Sequence, residues 1–139
     1  LRLFDTKGKE VANTFYWRSN DKYEGRKTLT GPTSSGFEDL SKLKQVQLKT
    51  RYQTYQEGDR HFIKAEIKNP SSTVAFFTQL QLLGQDKKPV RPSFYTDNFF
   101  SLLPGESKTV IIETAASDMP SEPKFVVKGW NIKPCSFKL

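Results

Sequence analysis

The chain has 139 residues, and its 22 Lys and Arg against 15 Asp and Glu leave it at +7; a hydrophobic fraction of only 35% is offset by 11 Phe, 5 Tyr and 2 Trp. That is enough for one domain with a sizeable core, because each buried aromatic removes about 150–250 Å² from water. With His61 and Cys135 the only residues of their types, zinc and an intrachain disulfide are excluded. The chain as given carries no long apolar run and no signal-peptide pattern, so no membrane contact is expected from it.

In chain order, Leu1-Arg2-Leu3-Phe4 begins directly as a strand without an initiator Met, which predicts a fragment or a processed chain. Leu1 to Thr6, a turn at Lys7-Gly8 and Lys9 to Ser19 predict a hairpin ending in Phe15-Tyr16-Trp17. An isolated hairpin is barely stable in water and needs a sheet to pair with. Residues 20–43 are expected to be a linker: polar and rich in Gly, Ser and Thr up to Gly36, then a helical turn or two with Phe37, Leu40 and Leu43 spaced three apart.

From Lys44 onward the pattern has period two, the mark of a sheet with one wet face. Val46 to Tyr52, Ile63 to Lys68, Val74 to Leu83, Val90 to Tyr95, Ser107 to Thr114 and Phe125 to Trp130 are the predicted strands, with turns at Glu57-Gly58-Asp59, Asn69-Pro70 and Leu102 to Glu106. Val74 to Leu83 is apolar on both faces near Phe76 and Phe77, which predicts a central strand with both rings buried. Leu102 and Leu103 are expected to point inward, with Gly105 supplying a positive φ. Several short strands with turn chemistry between them predict an all-β sandwich spanning 44–139.

No motif for a nucleotide, phosphate or calcium site is present, so no cofactor is expected. His61, beside Asp59 at a turn, reads as a solvated imidazole, and carboxylates can be paired on paper too freely to define a glycosidase dyad. The positive charges do not cluster in sequence. Solubility and protection of edge strands by Lys is the first reading and an acidic partner the second, with nucleic acid not called for. Trp17, Tyr16, Tyr52, Tyr55, Tyr95 and Trp130 could stack on sugar rings or on a neighbouring domain. Asp97 and Asn98 are polar residues in an apolar stretch, fit either to fix a loop or to reach a ligand.

Three stretches carry a specific likeness: Asn13-Thr14-Phe15-Tyr16-Trp17 with Tyr23, Asn69-Pro70-Ser71-Ser72-Thr73-Val74-Ala75-Phe76-Phe77, and Tyr95 through Ser107 around Asp97-Asn98-Phe99. Together with Gly129-Trp130-Asn131, they resemble the C-terminal region of the exo-β-D-glucosaminidase and β-mannosidase-like branch of glycoside hydrolase family two. The resemblance implies an immunoglobulin-like β-sandwich over 44–139, with residues 1–19 the closing hairpin of a preceding immunoglobulin-like domain. It also implies a (β/α)8 barrel elsewhere that holds both catalytic carboxylates, leaving no catalytic residue here. The expected role is therefore a non-catalytic accessory domain that packs on and stabilises that barrel, in an extracytoplasmic enzyme. Trp17, Tyr95, Asp97, Asn98 and Phe99 are the candidates for sugar or inter-domain contact. A carbohydrate-binding module and an interaction domain for an acidic partner are the alternatives.

Overall fold

The computed structural model describes residues 1–16 and 38–139, which fall into two compact units, Leu1–Leu43 and Lys44–Leu139. In the first unit, β1 (Arg2–Phe4) and β2 (Glu10–Asn13) form the predicted antiparallel hairpin. Its turn is held by the Asp5 carboxylate, which accepts the N–H groups of Lys7 and Lys9, and Gly8 takes the positive φ the turn needs. Both strands are exposed along their length, Leu3, Phe4 and Val11 included. A 3-10 helix, Glu38–Lys42, stands where the helical turn was expected. Trp17, Tyr23 and most of the expected linker lie outside the described residues.

The second unit is a sandwich of two four-stranded antiparallel sheets. Strands β3 (Lys49–Glu57), β4 (Arg60–Lys68), β6 (Phe94–Tyr95) and β8 (Ser107–Ala115) make one sheet in the order β3-β4-β8-β6; β5 (Ala75–Leu83), β7 (Phe100–Leu102), β9 (Lys124–Gly129) and β10 (Ile132–Lys138) make the other in the order β10-β9-β5-β7. Alternation decides what is inside. On β4 the residues Ile63, Ala65 and Ile67 are buried while Lys64, Glu66 and Lys68 face out, and Val110 and Ile112 of β8, Leu80 and Leu82 of β5, and Phe125 and Val127 of β9 close the core. Phe125 is fully buried, stacked on Phe137 at 4.7 Å and met edge-on by Tyr52 of the facing sheet at 5.0 Å.

Two strands escape the sequence pattern. β10 carries Pro134 and exposed Lys residues, and it is an edge strand, where a missing N–H is tolerated. β7 is short and falls within a stretch read as loop and turn. The segment before β3 also joins the β10 sheet, through a parallel bridge between Val46 and Ile132, so the chain enters the sandwich in one sheet and crosses to the other within three residues.

Two side-chain expectations are corrected. Phe76 is buried as expected, but Phe77 is 48% exposed, because the register of β5 against β7 shifts between Ala75 and Thr78 and puts Phe77 at a positive φ of 56°. Such a bulge adds a residue and re-aims the side chains beside it. Leu102 is buried, yet Leu103 lies outside β7 and is exposed; Gly105 does adopt a positive φ.

Candidate functional site

Four aromatic rings form a contiguous cluster at one end of the β10-β9-β5-β7 sheet. Phe76 is the buried base. Phe77 lies 5.7 Å from it, Phe99 lies 5.3 Å from Phe77, and Trp130 lies 6.4 Å from Phe76. Phe77, Phe99 and Trp130 are 48, 50 and 61% exposed. Phe99, like Phe77, has a positive φ, 58°. The left-handed region costs a non-glycine residue roughly 1–2 kcal/mol, so the surroundings must hold both rings there. They do so by hydrogen bonds: Phe77 N–H donates to Ser101 Oγ at 3.2 Å and Phe99 N–H to Asn98 Oδ1 at 3.1 Å.

The Gly129-Trp130-Asn131 stretch sets the other end of the cluster. A Cβ on Gly129 would sit 2.9 Å from the carbonyl oxygens of Phe76 and Phe77 and against the Ile132 side chain, so only glycine permits this close approach. Trp130 N–H donates to the Phe76 carbonyl at 3.0 Å, with its indole directed outward. Asn131 is buried; its Oδ1 accepts Phe76 N–H at 2.8 Å, and its Nδ2 donates to the Lys44 and Val74 carbonyls, each at 2.9 Å.

Of the five contact candidates, Phe99 is in the cluster and Trp17 is not among the described residues. The other three are occupied by the fold. Beyond its pairing with β7, the free edge of β5 is sealed by side chains: Asn98 accepts Leu80 N–H at 2.8 Å and donates to the Leu80 carbonyl at 2.9 Å, and the Tyr95 hydroxyl accepts Leu82 N–H at 2.9 Å. An unpaired strand edge invites aggregation, and this sealing removes it. Asp97 accepts Asn98 N–H at 2.7 Å and forms an ion pair with Lys108. Sequence reasoning placed Trp130 among the aromatics but assigned Phe77 to the core; the bulge that exposes Phe77 has no signature in a strand pattern that continues through it.

Burial raises the Tyr95 hydroxyl above its usual value of 10.0, partly offset by the Leu82 N–H and by Ser93. An acid whose folded value is raised contributes stability that is complete below the unfolded value and is lost as pH climbs through the folded one. Melting scans from pH 8 to 11 should therefore show stability falling above about pH 10, and Tyr95→Phe should flatten that slope while costing about 1 kcal/mol at pH 7 through the unpaired Leu82 N–H. An unchanged slope in the variant would refute the assignment.

Among the described residues no cluster of His, Cys, Asp and Glu is arranged to hold a metal ion. The site is a cluster of exposed apolar rings carried on a two-sheet sandwich, and the sandwich is that of an immunoglobulin-like β-sandwich module. Residues 28–132 match the model of the exo-β-D-glucosaminidase Ig-fold domain, and the chain belongs to that family. It is 32% identical over 141 residues to the exo-β-D-glucosaminidase of Streptomyces avermitilis, covering 94% of this chain and 16% of that protein, and 29% identical to the Amycolatopsis orientalis enzyme, covering 93% and 14%. The crystal structure of the A. orientalis exo-chitosanase CsxA matches the fold with a TM-score of 0.82 at 23% identity, over 98% of this chain and 17% of that one. The chain thus spans about one sixth of the length of the relatives it matches.

Proposed function

We propose that the chain is the accessory module of an exo-β-D-glucosaminidase-type glycoside hydrolase of family two, and that it packs on and stabilises the catalytic barrel, which supplies both active carboxylates. The observation that carries this reading is the pair Phe77 and Phe99, two large apolar side chains held outward in strained backbone. Burial against another domain would return roughly 1.5–3 kcal/mol for each ring. The β1–β2 hairpin, with Leu3, Phe4 and Val11 exposed, completes a sheet of a neighbouring domain in the same reading.

Charge separates this reading from sugar capture by the same rings. Several relatives are named for glucosamine or chitosan, and a polymer of glucosamine is polycationic wherever its amines are protonated. A module at +7 repels it. In the complete enzyme, Phe77→Ser/Phe99→Ser should lower the temperature of half-inactivation by several degrees, while the 139-residue chain should give no heat when titrated with chitosan oligosaccharides. Unchanged inactivation in the variant, and after deletion of the whole module, would dispose of the docking role.

A further inference from the structure

The outer face of the β3-β4-β8 sheet carries a second surface with different chemistry. The register places Lys49 directly opposite Lys68, Arg51 opposite Glu66 and Gln53 opposite Lys64, so four cations and one acid share this end of the face, while Glu57, Arg60 and Glu113 occupy its other end, where Arg60 pairs with Glu113. Like charges directly opposite each other on neighbouring strands are destabilising, and no ion pair relieves Lys49, Lys68 or Lys64 among the described residues. Two open depressions lie on this face, one of about 530 Å³ lined by Lys49, Arg51, Lys68, Glu66, Gly105 and Ser107, and a shallower one of about 220 Å³ lined by Arg51, Tyr52, Gln53, Lys64 and Glu66.

We infer that this face is a docking site for an acidic polypeptide segment. Positive charges two residues apart on one strand lie about 7 Å apart, and those on adjacent strands about 5 Å apart; an extended acidic peptide, whose alternate side chains also repeat at about 7 Å, matches that grid. The one aromatic residue lining either depression, Tyr52, has its ring packed on Phe125 and Phe137 at 5.0 and 5.7 Å, and Tyr55 and Phe62 stack on each other further along the face, at 5.0 Å, so a polypeptide fits better than a glycan. The surface lies on the sheet opposite to Phe77, Phe99 and Trp130, and the inference stands independently of the docking role given to those rings.

The test uses the 139-residue chain and labelled poly-L-glutamate. Binding should be measurable at about 20 mM NaCl and weaken about tenfold or more at about 200 mM, where the screening length between exposed charges falls to about 7 Å. Lys49→Glu/Lys68→Glu should weaken it about tenfold, whereas Lys133→Glu/Lys138→Glu on β10, with the same change in net charge, should alter it by less than about threefold. Lys49→Glu alone adds an independent readout. By placing an acid opposite Lys68 it should raise the melting temperature by a few degrees while weakening poly-L-glutamate binding. Equal losses in both double variants would reduce the effect to net charge and overturn the inference, as would absence of binding. Binding of heparin without binding of poly-L-glutamate would overturn it in favour of a sulfated glycan.

Discussion

Asn131→Ala should cost about 2–4 kcal/mol and lower the melting temperature by roughly 10–20 °C. The amide is buried and serves three backbone groups of two different segments: it accepts Phe76 N–H and donates to the carbonyls of Lys44 and Val74. Truncation leaves one donor and two acceptors short of a partner in a region water reaches poorly, and each such orphan costs about 1–3 kcal/mol unless the structure relaxes. Asn131→Asp keeps the acceptor for Phe76 N–H but sets a carboxylate oxygen against two carbonyl oxygens, so it should be no better than alanine. Asn131→Leu restores the volume without the hydrogen bonds. If thermal denaturation shows leucine to be as stable as asparagine, the residue acts by filling space and the hydrogen-bond account fails. The same bonds fix the start of β5, so the alanine variant should also weaken ordering of the Phe76, Phe77 and Trp130 rings, visible as reduced near-ultraviolet circular dichroism before global unfolding.

Phe125→Ala should cost about 3–5 kcal/mol. Phe125 has no exposed surface, stacks on Phe137 from the adjacent strand and receives the edge of Tyr52 from across the sandwich, so its ring joins the two sheets. Removing it leaves a cavity between the two sheets, and it also releases Tyr52, whose hydroxyl donates to the Lys138 carbonyl at 2.6 Å. Phe125→Leu preserves most of the volume and should cost less than half as much. Urea denaturation of the two variants checks this, and equal costs would mean that the aromatic geometry, not the buried volume, matters.

Asn69 and Asn98 show why polar residues inside apolar stretches are hard to interpret from sequence. Asn69 is fully buried, with Nδ2 donating to the carbonyls of Thr73 and Leu102 and Oδ1 accepting from Ser71. Asn98 replaces a missing strand along the edge of β5. The Asn-Pro-Ser and Asp-Asn-Phe motifs that signalled the family are therefore explained by backbone groups they satisfy. A side-chain amide carries both a donor and an acceptor, and can imitate one residue of a neighbouring strand.

The amino-acid sequence by itself determined the sandwich. Period-two alternation at Ile63, Ala65 and Ile67 assigns one face inward wherever it occurs, and that assignment needs no knowledge of the partner strand. It also determined the turns at Gly8, Gly58 and Gly105, where positive φ is a local property of the backbone. Only the tertiary structure decided which aromatics face out, which edge Tyr95 and Asn98 seal, and that Lys49 stands opposite Lys68. These depend on bulges and on register between strands far apart in the chain, set by the packing of the whole core and not by neighbours in sequence.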